Sequence, residues 1–171
     1  MHIVEVNSNN IEEFSNVLLE AAEWLEAKGQ GMWKPEKIEP KELLKQYSMN
    51  EMKLCYHKGE LIGVFVLQWQ DLLFWPEVKD NSSGFFHKLA IKRKYNSMGY
   101  GKRLVELAEN TCRDKGVKSL KLNCGTMRPK LRGFYESLGF EMVDRVFIDN
   151  RDQIRYEKKL ILNNQISSIR E

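Results

Sequence analysis

The stretch that most constrains the fold of this chain spans residues 85–109, where an apolar segment, a glycine-containing loop and a helical pattern follow one another. Residues 85–91 are mostly apolar, and the loop after them carries Gly99 and Gly101. Beyond the loop, apolar residues recur at helical spacing at Leu104, Leu107, Ala108 and Cys112. The pattern predicts a strand, a glycine turn and a helix, a unit typical of α/β folds.

Such a turn is suited to binding an anion. The first turn of a helix has backbone N–H groups without intrahelical partners and the positive end of the peptide dipoles. Glycines at 99 and 101 let a ligand approach that backbone closely. Five basic residues flank the turn, namely Lys92, Arg93, Lys94, Lys102 and Arg103. The alternative is an ordinary strand-to-helix connection with a solvated basic face.

Composition places the chain among soluble globular proteins. It has 171 residues, 42% of them hydrophobic and 30% charged, with a net charge of +3, so we expect one domain over residues 1–171. This small charge does not favour nucleic-acid or membrane binding. No apolar stretch approaches the ~20 residues of a membrane span, and the first residues lack a leader pattern, so we expect a cytoplasmic location.

The cysteines and histidines do not predict a metal site. Three cysteines and three histidines are widely spaced, without a Cys-x-x-Cys pair. We therefore expect no metal and three reduced, packed thiols.

The remaining pattern predicts an α/β fold around a mixed sheet. Residues 61–67 are apolar on both faces of the predicted strand, as in a strand that is covered on both sides. Strands are expected at 2–6, 52–56, 61–69, 85–91, 119–124, 141–148 and 155–162. Helices are expected at 11–28, around 43–47, from the glycine turn to 115, and from Pro129 to Gly139. The polar residues 163–171 are expected to form a loose tail.

A second motif supplies the stronger signal. Asn123 and Cys124 precede Arg128, and residues 134–140 read Phe-Tyr-Glu-Ser-Leu-Gly-Phe. With the loop Asn-Ser-Met-Gly-Tyr-Gly at 96–101, this arrangement resembles the GCN5-related N-acetyltransferase (GNAT) family over essentially the whole chain. Two positions depart from the family pattern: Asn96 replaces Gln or Arg, and Arg128 replaces Asn.

The resemblance implies a GNAT-type fold, with a mixed, mostly antiparallel sheet of six to seven strands and about four helices. It also implies an N-acetyltransferase with acetyl-CoA as co-substrate. The pantetheine arm is then expected along Leu89, Ala90 and Ile91. The pyrophosphate is expected at Asn96, Ser97, Met98, Gly99, Tyr100, Gly101 and Lys102. At Arg128 the family's cofactor contact is either lost or replaced by a contact to phosphate.

Two residues are candidates for proton transfer. By resemblance, Tyr135 protonates the departing thiolate; its spacing with Leu131 and Leu138 is equally typical of core packing. His87 is a candidate base because its ordinary pKa of ~6.5 suits proton uptake from an ammonium group. Strand alternation would place it on one face with Phe85, Leu89 and Ile91, where a packed histidine is the alternative.

The acceptor is expected to be a primary amine of a small molecule, amino acid or peptide. Trp33, Trp75 and His87 are the candidate acceptor contacts, although Trp33 is equally suited to plugging the core. Aromatic walls with few acids do not favour a polycationic acceptor.

Three further questions stay open. A non-catalytic acyl-CoA sensor or scaffold is the alternative function, and a nucleic-acid patch over the basic residues 88–103 is a third. Whether the protein forms a homodimer through the edge strands near residues 155–160 is also left open.

Overall fold

The computed structural model describes residues 1–162; the predicted tail at 163–171 lies outside the described residues. Within them the α-helices are α1 Ile11–Ala27, α2 Pro40–Gln46, α3 Tyr100–Asp114 and α4 Pro129–Ser137. The strands are β1 His2–Glu5, β2 Met52–His57, β3 Glu60–Gln68, β4 Ser83–Ile91, β5 Ser119–Gly125, β6 Glu141–Ile148 and β7 Arg151–Lys159. Short 3-10 helices occupy Pro35–Lys37, Met49–Glu51 and Arg93–Tyr95.

The seven described strands form one sheet in the order β1-β2-β3-β4-β5-β7-β6. The β1/β2, β2/β3, β5/β7 and β6/β7 pairs are antiparallel, whereas β4 and β5 are parallel. This arrangement confirms the predicted α/β fold with a mixed, mostly antiparallel sheet of six to seven strands and four helices. None of the helices within residues 1–162 has the length and apolar character needed to cross a membrane.

The chain forms two compact units. The first comprises residues 1–67 and 88–107, and the second comprises, among the described residues, 68–87 and 108–162. In the first unit, the apolar face of α1 packs on strands β2 and β3 because its inward residues recur at helical spacing. The fully buried members of this core include Phe14, Leu18, Leu43, Leu54 and Val64.

The second unit is built on β5, β7 and β6, with a buried aromatic cluster. Trp75 and Phe85 pack at a ring separation of 6.2 Å. The guanidinium of Arg155 lies 4.4 Å from the Trp75 ring centre and binds both carboxylate oxygens of Asp144 at 2.7 Å. A third acceptor, the Phe74 carbonyl, also lies at 2.7 Å. These bonds satisfy the charge of an arginine that is buried in this unit.

The last strand begins earlier than predicted. Asp149 and Asn150 both adopt positive φ, at 52° and 56°, as the central residues of a type I′ hairpin turn do. This turn brings Ile148 opposite Arg151, so β7 starts at Arg151 rather than at Arg155. The prediction was wrong because residues 151–153 are polar and carry no apolar alternation.

Backbone geometry also corrects the predicted alternation along β4. Lys88 has a φ of +54°, a left-handed conformation within a strand. The regular two-residue period is interrupted there, so Phe85 and His87 do not share a continuous face with Leu89 and Ile91. Ala90 is instead the residue of this segment that enters the core of the first unit.

Candidate functional site

The glycine loop ends at the first turn of α3. Ser97 and Gly99 have φ values of +62° and +78°, and residues 96–99 are exposed. The Arg103 N–H donates to the Gly99 carbonyl at 3.4 Å, as the first bond of the helix. The N–H groups of residues 100–102 precede that bond and so have no intrahelical acceptor. The loop therefore presents backbone donors and the positive end of a helix dipole to solvent.

Gly99 leaves this surface open. A Cβ built on Gly99 meets no heavy atom within 4 Å, so solvent or a ligand occupies that direction. The Asn96 side chain bonds its neighbour, with Nδ2 3.2 Å from Ser97 Oγ. Asn96 thus stabilises the loop itself, and the backbone is the part of the loop best placed to hold an anion.

The basic residues before the loop are largely engaged elsewhere. Lys94 donates to Glu60 at 2.9 Å, and the Arg93 guanidinium lies 3.6 Å from the Trp24 ring centre. Lys102, in contrast, has a side chain that is 63% exposed at the first turn of α3, and its Nζ lies 3.8 Å from Glu106, whose side chain is 52% exposed. An exposed pair at that distance is weak, so Lys102 is the side chain of this group best placed to reach a phosphate.

The segment predicted to hold the pantetheine, residues 89–91, lies close to β3 at Gly63. Leu89 and Ile91 are half-buried and Ala90 is buried. A Cβ added to Gly63 of β3 would collide with the Ala90 carbonyl oxygen and lie 2.9 Å from Ile91 Cδ1. The absence of a side chain at Gly63 therefore leaves room for residues 90 and 91. The sequence analysis did not identify this role of Gly63.

The parallel pairing of β4 is short. Its ladder with β5 runs from Ser83↔Ser119 to Phe85↔Lys121, three residue pairs. Residues 89–91 lie well beyond the end of that ladder.

Tyr135 lies on α4 with its ring among aromatic neighbours. Only 6% of the residue is exposed, and its ring centre lies 5.2 Å from that of Phe134 and 5.8 Å from that of Phe140. Burial, together with the nearby Cys124 sulfur, raises the pKa of Tyr135 above its ordinary value. The hydroxyl is therefore held in the protonated form that a proton donor requires, in a position that also serves packing.

All three cysteines are buried and free of disulfides. Burial raises the pKa of Cys124, which belongs to the second motif, to about 11. It raises the pKa of Cys55 and of Cys112 to about 12. Thiolates are the nucleophilic form of cysteine, so these residues are not activated nucleophiles. Within residues 1–162 no group of three His, Cys, Asp or Glu side chains is arranged to hold a metal ion.

Arg128 caps the N-terminus of α4, immediately before Pro129. Its N–H donates to the Gly125 carbonyl at 3.1 Å, and its side chain runs alongside Gly125. Arg128 as a whole is half-buried in the second unit.

His87 has a partner that the sequence pattern did not indicate. Its Nε2 lies 3.2 Å from Oδ2 of Asp71, a residue of the loop before β4. The other oxygen of Asp71 accepts the N–H groups of Leu73 at 3.1 Å and Phe74 at 3.0 Å. Burial acts to raise the pKa of Asp71, but the His87 imidazole and the two N–H groups outweigh it, so the pKa lies below its ordinary value. No spacing rule could have found Asp71, because it lies 16 residues from His87 in an irregular loop.

The two predicted acceptor tryptophans differ. Trp33 is half-buried against the core of the first unit, and Lys88 Nζ lies 5.3 Å from its ring centre. Trp75 is only 2% exposed and belongs to the aromatic cluster of the second unit. Trp75 is therefore a core residue and was wrongly predicted to contact the acceptor, since Arg155 and Phe85 cover its ring.

Asn123 is a further polar residue of interest on β5. Its Nδ2 donates to Gln153 at 3.0 Å, whereas its buried Oδ1 accepts no hydrogen bond from residues 1–162. Unsatisfied buried acceptors are uncommon and often meet a bound water or ligand. The sequence contained the signal, since Asn123 opens the second motif.

Comparison with known proteins decides the family. The model of the Acetyltransferase (GNAT) family matches residues 18–140, well over half of the chain. The chain belongs to the GNAT acetyltransferase family. The resemblance inferred from the two sequence motifs is thereby confirmed, and the protein is an N-acetyltransferase that uses acetyl-CoA.

Individual relatives are distant. The uncharacterized N-acetyltransferase YesJ of Bacillus subtilis is 25% identical over 146 residues, which cover 77% of each protein. A GNAT-family acetyltransferase of Listeria monocytogenes superposes with a TM-score of 0.73 at 17% identity, covering 93% of this chain and 94% of its own. PaiA N-acetyltransferase of Thermoplasma acidophilum, solved with coenzyme A, superposes with a TM-score of 0.68 at 20% identity, covering 92% and 98%. These two structures support the fold alone.

Proposed function

We propose that this GNAT enzyme transfers an acetyl group from acetyl-CoA to a primary amine of a small molecule, amino acid or peptide, by direct attack in a ternary complex. The observation that carries the cofactor part is the glycine loop, whose exposed backbone donors and open Gly99 suit a pyrophosphate. In this proposal residues 96–102 bind the pyrophosphate and residues 89–91 the pantetheine arm. PaiA N-acetyltransferase, which has a similar fold, was solved in complex with coenzyme A.

Direct attack is favoured over a covalent acyl-enzyme. A covalent route needs an activated nucleophile. Cys124, the cysteine of the second motif, is 4% exposed and has a pKa raised to about 11. A buried thiol of this kind is a poor acceptor for an acetyl group.

A neutral or singly charged acceptor is favoured over a polycation. The acids of the hairpin at residues 149–152 are already paired, Asp149 with Arg151 at 3.0 Å and Asp152 with Arg145 at 2.6 Å. Paired carboxylates offer little net attraction to an acceptor carrying several positive charges.

Tyr135 is proposed as the proton donor to the coenzyme A sulfur. We expect Tyr135→Phe to lower kcat by about 100-fold, a typical contribution of a general acid, because phenylalanine preserves the packing and removes only the hydroxyl. The acetyl-CoA Kd from calorimetry is expected to stay within a factor of two or so of wild type. Equal kcat values for the two proteins would remove Tyr135 from the mechanism.

The activity itself is tested by following thiol release from acetyl-CoA across a panel of amines, amino acids, polyamines, aminoglycosides and peptides. Release that depends on one acceptor class, with the acetylated product seen by mass spectrometry, is the expected result. Acetyl-CoA binding without release by any acceptor would instead support an acyl-CoA sensor. The observation that favours the sensor alternative concerns Asn96, whose side chain bonds Ser97 within the same loop.

A further inference from the structure

The turn that joins β2 to β3 lies against the start of α3 in the first unit. The ring centre of His57, the last residue of β2, is 5.9 Å from that of Tyr100, the first residue of α3. The guanidinium carbon of Arg103 lies 5.4 Å from the centre of the same Tyr100 ring. Because Lys58 directly follows His57, both cationic side chains belong to the immediate surroundings of the glycine loop.

Lys58 and Arg103 are exposed, and neither forms a salt bridge with residues 1–162. Lys102, by contrast, lies 3.8 Å from the carboxylate of Glu106. Desolvation and neighbouring positive charges, those of Lys58 and Arg103 among them, lower the pKa of His57 below its ordinary value. The turn and the start of α3 therefore carry positive charge that no salt bridge of the described chain offsets, which favours an anionic ligand there.

The position of the turn matches the end of the cofactor that leaves the glycine loop. Ala90, in the proposed pantetheine segment, lies against Gly63 of β3, whereas Lys94 Nζ bonds Glu60 at the start of β3 at 2.9 Å. The chain thus runs from the pantetheine segment to the glycine loop in the direction of the turn at Lys58. In coenzyme A the pyrophosphate joins the pantetheine arm to an adenosine that carries a 3′-phosphate. A cofactor that passes from residues 89–91 through the loop therefore brings its adenosine end toward this turn.

We propose that Lys58 and Arg103 bind the 3′-phosphate of coenzyme A. The inference rests on the proposed function and deepens it, because it names the side chains that distinguish coenzyme A from 3′-dephospho-coenzyme A. An arginine guanidinium and a lysine ammonium both donate charge-assisted hydrogen bonds to phosphate oxygens. Lys102 remains assigned to the pyrophosphate, so the two phosphate groups have different cationic partners.

Calorimetry with coenzyme A and with 3′-dephospho-coenzyme A tests the proposal without turnover. The wild type is expected to bind coenzyme A about tenfold more tightly than the dephospho form, the scale of one charge-assisted hydrogen bond. The double variant Lys58→Gln/Arg103→Gln is expected to bind the two ligands with nearly equal Kd, because only the binding of coenzyme A is weakened. Both side chains are exposed, so the Tm should stay close to wild type.

Lys102→Gln is the matched control, since it removes one exposed cation from the same helix turn. We expect it to weaken the binding of both ligands by the same factor, because both contain the pyrophosphate, and to keep the wild-type ratio of the two Kd values. The wild-type ratio should also decrease at high salt, where exposed charges are screened.

The outcomes separate this inference from the proposed function. Equal Kd values of the two ligands for the wild type, or a wild-type ratio in the double variant, would overturn the inference and leave cofactor binding intact. A ratio that Lys102→Gln alone abolishes would also overturn it, because the 3′-phosphate would then lie at Lys102. A wild type that binds neither ligand would overturn the proposed function, and the inference with it.

Discussion

Replacing Gly63 by alanine is expected to destabilise the protein by about 3 kcal/mol or more, at the upper end of what overpacking a core costs. The new Cβ would collide with the Ala90 carbonyl oxygen, and would lie 2.9 Å from Ile91 Cδ1 and 3.1 Å from Leu104 Cδ2. The carbonyl belongs to the backbone of a sheet strand, so it cannot rotate away as a side chain would. Relief requires a displacement of β4 from β3.

Gly133→Ala is the control for this prediction. Gly133 lies within α4, and a Cβ there meets no heavy atom within 4 Å. Alanine should therefore stabilise this helix by about 1 kcal/mol, the difference in helix propensity between the two residues. Urea unfolding of both variants measures the contrast, and equal stability of Gly63→Ala and wild type would show that β3 and β4 are not packed as described. Because residues 90 and 91 are proposed to bind pantetheine, weaker acetyl-CoA binding should accompany the loss of stability.

The second large effect is expected at Gly99, on cofactor binding. Gly99→Ala should weaken acetyl-CoA binding by about tenfold or more, since one charge-assisted hydrogen bond is worth about 1.5–3 kcal/mol and about 1.4 kcal/mol is a factor of ten. The added methyl group would occupy the open side of the loop, where the pyrophosphate is proposed to lie. It would also impose a left-handed φ of +78° on an alanine.

Gly116→Ala separates the strain of a left-handed backbone from the effect of the added methyl group on cofactor binding. Gly116 follows the end of α3 with a φ of +74°, and a Cβ there also meets nothing within 4 Å. Both variants should lose about 1 kcal/mol of stability from the same backbone conformation. Only Gly99→Ala should change the Kd, measured by calorimetry with acetyl-CoA and with coenzyme A. Equal Kd values for the two variants would argue that the pyrophosphate lies elsewhere.

Local sequence was sufficient for most of the secondary structure. Helix α3 ends at Asp114, just before Gly116, and α4 begins at Pro129, because glycine and proline act through their own backbone preferences. Strand β6 matches its predicted range for a similar reason, as Gly139 stops the helix before it. The same locality explains the cofactor loop, in which the left-handed conformation of Gly99 is a property of the residue itself.

Contacts between residues far apart in the chain could not be predicted from the sequence pattern. Trp75 was predicted to contact the acceptor because aromatic residues on loops often do, and only its packing with Phe85 and Arg155 shows that it belongs to the core. The interruption of β4 at Lys88 could not be predicted from the sequence pattern either. The left-handed conformation of this lysine is held by its surroundings, because lysine has no backbone preference for it.

The sequence by itself determined the order of strands and helices, the glycine loop at the start of α3 and the family, because these depend on residues close together in the chain. The tertiary structure alone decided which side chains meet. It paired His87 with Asp71, placed Gly63 against the backbone at residue 90, and buried Trp75 and Cys124. Burial and hydrogen bonding are set by residues far apart in the chain, and they fix the protonation state of a side chain, so the chemistry of the candidate site follows from the fold.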